Sequence, residues 1–111
     1  MTNEGIDLYG DCVDAFDASP TVLIEMLRRR SSIENMIHEL TINQKNKLIS
    51  YDLKLIENAK QMTEHIGKNF DFSLSEEPLT EWWWHLDKVA SGKIEFYLSP
   101  TIEPDKDNIN K

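Results

Sequence analysis

The chain has 111 residues, with 12 Lys and Arg against 20 Asp and Glu and a formal net charge of −8. Hydrophobic residues make up 40%, enough for one domain with a core of its own and too many for a chain disordered throughout. The acidic balance argues against a protein that tracks nucleic-acid phosphates, and no apolar run approaches the ~20 residues that cross a bilayer.

The start of the chain lacks the basic and apolar stretches of a signal peptide, and Cys12 has no second cysteine to pair with. A reducing, cytoplasmic setting is therefore expected. Read in order, the chain is mainly α, with one short strand near its end. Residues 5–17 place Ile6, Tyr9, Cys12, Val13 and Phe16 on one helical face. Asp7, Asp11 and Asp14 fall on another, as a solvated stripe or as an acidic docking face for a basic partner. Gly5 and Gly10 weaken this helix.

Ser19-Pro20 reads as an N-cap followed by proline at the first helical position, so a second helix spans 20–40. Thr41-Ile42-Asn43-Gln44 matches a capping box and opens a third helix over 42–66, with Gly67 as its C′ residue. These two form a long antiparallel hairpin. Arg30 interrupts the apolar meridian of one helix and Asp52 that of the other. In a hairpin turning near Thr41, residues whose numbers sum to about 82 face each other, so Arg30 and Asp52 are expected to pair. Ser31-Ser32-Ile33-Glu34 matches a second capping box, which would instead end a helix at Arg28, Arg29 and Arg30.

Residues 70–74 alternate apolar and polar, as an extended segment would. Ser75-Glu76-Glu77-Pro78 starts a fourth helix, which Thr80 could cap later and which runs to Ala90, stopped by Gly92. Inside it lie Trp82, Trp83 and Trp84. At ~100° per residue they sweep about 200° of the circumference, wider than one buried stripe, and Trp84 should point away from the others. They are either core, the interface of a homodimer, or a docking site for another protein. Residues 93–98 alternate like a strand carrying Phe96, and 99–111 read as a flexible polar tail.

No motif here carries chemistry with specificity, and no cofactor is expected. Glu34 with His38 and Glu81 with His85 have i,i+4 spacing, so His38, His65 and His85 could hold a metal only if the fold makes them converge. Cys12 reads as a small core residue. The sequence therefore suggests a non-enzymatic interaction module. Its contact surface would be Trp82, Trp83, Trp84 and Phe96, with a regulator of a basic protein through Asp7, Asp11 and Asp14 as the alternative.

Overall fold

The helices begin where the caps in the sequence place them. In the computed structural model, which describes residues 3–94, Ser19 accepts a hydrogen bond from the Val22 amide at 3.3 Å and starts α2 (Pro20–Asn35). Thr41 accepts from the Gln44 amide at 3.1 Å, while the Gln44 side chain accepts from the Thr41 amide at 2.9 Å. This reciprocal box starts α3 (Ile42–Glu57). Preceding both is α1 (Asn3–Gly10), and following them are α4 (Ala59–Ile66) and α5 (Leu86–Ala90). Positions 95–98 of the expected strand, Phe96 among them, and the tail 99–111 lie outside the described residues.

The long helices are shorter than their periodicity suggested. α1 ends at Gly10, where a Cβ would enter the Tyr51 ring, and the chain continues in turns. Ile6, Tyr9 and Val13 are buried there, but Phe16 is exposed because the helical face that would have carried it has ended. α2 runs unbroken through Arg30, Ser31 and Ser32, so the second capping box is not used. It stops at Asn35, after a stretch of weak helix formers, and a single 3₁₀ turn at Ile37–Glu39 leads to buried Leu40. The expected 42–66 helix is divided at Asn58, whose side chain turns to donate to the Val13 carbonyl at 3.2 Å. Gly67 caps α4 in a right-handed conformation, φ −59°, rather than the left-handed one expected at C′.

One core joins these pieces. α1 packs on α2 and α3, and α4 packs on α2 and α5. Leu23, Met26, Leu27 and Ile33 of α2, Leu48 and Leu55 of α3, and Ala59, Met62 and Ile66 of α4 are all buried. Fully burying a Leu, Ile or Met side chain stabilises a fold by roughly 1.5–3 kcal/mol, and this holds the helices together.

After α4 the backbone departs from expectation twice. Residues 70–74 are not extended: the Asp71 carboxylate accepts from the Ser73 amide at 2.9 Å and its hydroxyl at 2.6 Å, folding Phe72–Leu74 into a 3₁₀ turn. The fourth helix is not continuous either. Residues 79–80 form a turn, Trp82–His85 is 3₁₀, and only Leu86–Ala90 is α-helical before Gly92 ends it at φ +78°. Among the described residues, no helix is long and apolar enough to cross a membrane.

Candidate functional site

Arg30 and Asp52, the two charges on apolar helix faces, are paired. Arg30 Nε donates to Asp52 Oδ1 and Nη2 to Oδ2, both at 2.9 Å, with the two residues 5% and 2% exposed. Tyr9 adds a hydroxyl donated to Asp52 Oδ1 at 2.6 Å, and Arg30 Nη1 donates to Glu34 at 3.0 Å. Burial pushes the Asp52 carboxyl above its usual range against the pull of Arg30 and Tyr9. Both Arg30 contacts bring N–H groups that can only donate, and the Tyr9 hydroxyl donates to the same carboxylate, so the ionised form fits the geometry. Burial also works against the Arg30 charge, but Asp52 outweighs it and holds the guanidinium protonated.

Trp83 closes this ion pair. Its ring lies 4.3 Å from the Arg30 guanidinium carbon in a cation–π contact, and Trp82 stands edge-on to it at 5.5 Å. At 6% and 1% exposure, Trp82 and Trp83 are core residues, so as partner-binding residues they offer almost no ring surface. Trp84 does not point away from its neighbour as expected. The segment is a 3₁₀ turn rather than an α-helix, and both indole N–H groups reach one hydroxyl on α2. Trp83 and Trp84 each donate Nε1–H to Ser31 Oγ, at 2.9 and 2.8 Å, and Ser31 donates its own proton to Glu81 at 3.2 Å.

Trp84 stays half-buried, with Phe70 packed against it at 5.6 Å. It lines a groove of about 710 Å³ together with Ser31, Phe70, Leu74, Glu76 and Glu81. Glu77, Asn35, Ser75 and Arg28 complete the walls. Leu74 is 73% exposed at this edge. Of these residues the sequence singled out only Trp84 for binding. Ser31 read as a cap and Glu81 as half of a metal pair, because the contacts that define them come from elements far apart in the chain. The signal that could have found the groove is Leu74, an apolar residue followed at once by four polar or helix-breaking positions.

The other candidates do not converge. Asp7 is engaged by Lys47 at 2.9 Å and by the Tyr51 hydroxyl at 3.0 Å, which hold its carboxyl below the ordinary range. Asp14 faces Lys54 at 3.5 Å, while Asp11 is exposed. Two of the three expected docking carboxylates are thus joined to α3. His38 is exposed, His65 donates to the Ala18 carbonyl at 2.6 Å, and buried His85 donates to the Glu77 carbonyl at 2.6 Å. Among the described residues, no three His, Cys, Asp or Glu side chains are placed to hold a metal ion. Cys12 is half-buried, and burial pushes its thiol up, away from the reactive thiolate. Comparison of the chain with protein-family profiles, curated proteins and solved structures finds no match.

Proposed function

We propose that the protein is a small non-enzymatic interaction module that seats a segment of a partner protein in the groove beside Trp84. The observation that carries this reading is the half-buried Trp84, its N–H fixed on Ser31 and its ring beside Phe70, next to a largely exposed Leu74. A held aromatic ring offers large contact area with little ordering left to do on binding, which is the character of interface hot spots. A second copy of the chain is the less favoured occupant, because two chains of charge −8 repel and the groove wall is itself acidic. The alternative docking face on α1 is weakened by the pairing of Asp7 and Asp14 with Lys47 and Lys54. The setting proposed is the cytoplasm, where Cys12 remains a thiol.

Panning short random peptides against the full chain, followed by NMR mapping of the selected binders, tests this. Binders should shift the Trp84 indole and the Leu74 methyls. Trp84→Ala should weaken them by at least about tenfold while keeping the wild-type circular dichroism. Recovery only of binders that map elsewhere, or of none, would sink the proposal. Light scattering on the same samples reads self-association directly.

A further inference from the structure

We infer that the groove selects a segment bearing a basic side chain beside an apolar one, and that Glu81 receives the cation. This inference rests on the docking function proposed above. The groove walls carry, among the described residues, Glu76, Glu77 and Glu81 against one cation, Arg28, and Arg28 is already bonded to Glu25 outside the groove. Among the described residues, none of the three glutamates has an ion pair of its own. The floor between these charges is apolar and aromatic, from Phe70, Leu74 and Trp84. A guanidinium or ammonium with an adjacent aliphatic side chain matches both halves of that surface. A purely apolar segment would leave the carboxylates desolvated without a partner.

Ser31 singles out Glu81 from the three. A serine hydroxyl has one proton and two lone pairs. Both acceptor positions are taken by the Trp83 and Trp84 N–H groups, so the proton is committed to Glu81. The carboxylate is thereby held against the wall, half-buried, with its second oxygen still able to accept. Glu76 and Glu77 are exposed, and among the described residues neither side chain has such an anchor, so they add to the field without fixing the register of a ligand. An oriented, partly buried carboxylate beside aromatic faces suits a planar arginine side chain best, because it can be bonded and stacked together.

The test uses the full chain and the groove-mapped peptides recovered by panning. They should share an arginine or lysine next to Leu, Ile, Met or Phe. Replacing that arginine with citrulline, or that lysine with norleucine, should weaken binding by about tenfold or more, and added salt should weaken the charged peptide alone. Glu81→Gln should produce the same loss for the charged peptide and almost none for its neutral counterpart. Glutamine keeps an acceptor for Ser31, so unchanged Trp83 and Trp84 indole resonances would certify that the wall is intact. Groove-bound peptides without a cation, or charged peptides insensitive to Glu81→Gln, would overturn the inference and leave the docking function standing. A loss that follows Glu76→Gln or Glu77→Gln instead would overturn the role of Glu81. Absence of any groove binder overturns the docking function and this inference with it.

Discussion

Arg30 stands between Leu27 and Ile33 on a helix face where water is excluded, and a lone guanidinium there would be severely destabilising. Its partner was legible in the sequence because Asp52 is the matching charge on the apolar face of the next helix, and two bonds at 2.9 Å join them. The rest of the network was not legible. Tyr9 and Trp83 reach the pair from other elements, and no local pattern announces a ring over a guanidinium. Arg30→Met or Asp52→Leu alone should each lower stability by about 3–5 kcal/mol, since each strands a buried charge. The double replacement should cost much less than the sum of the two. Urea denaturation of the four proteins gives the coupling energy, and additive losses would show that the pair does not act as a unit.

At the scale of elements, the signals that held are those decided within a single turn. Ser19 and Thr41 cap as their side-chain chemistry dictates, because the acceptor, the amide and the spacing all lie within four residues. Thr41→Ala should therefore cost about 1 kcal/mol, within a range of roughly 0.5–2. The loss would appear as a lower denaturation midpoint together with faster amide exchange at Gln44, and unchanged exchange there would contradict the cap. What failed was periodicity carried past a contact made from elsewhere in the chain. At Asn58 a side-chain bond to Val13, and at Gly10 the approach of the Tyr51 ring, ended or divided helices whose apolar pattern continued. The tryptophan triplet departs for a different reason: its sequence fits α-helical spacing, whereas the segment is 3₁₀. Trp84 meets Ser31 across 53 residues of chain, a contact that no local spacing announces.

At the scale of the molecule, the polar network ties α1, α2, α3 and the tryptophan segment into one core, so its protonation bears on global stability. Burial first, and then the negative charge of Asp52, raise the Tyr9 phenol well above its ordinary value of 10.0. Below pH 10 the phenol is protonated in both the folded and unfolded chains, and its contribution is fully present. Above it the unfolded chain loses a proton that the folded chain keeps, so stability must fall as pH rises. The denaturation midpoint should drop through this alkaline range and drop less steeply in Tyr9→Phe. Equal slopes would mean that the Tyr9 phenol titrates freely. Chain order gives the closed ion pair one more property. Residues 82–85 follow both α2 and α3, so the ring over the guanidinium comes from a part of the chain made after both members of the pair. The indole that covers the guanidinium is thus the last of the network's side chains to be synthesised, after Tyr9, Arg30 and Asp52.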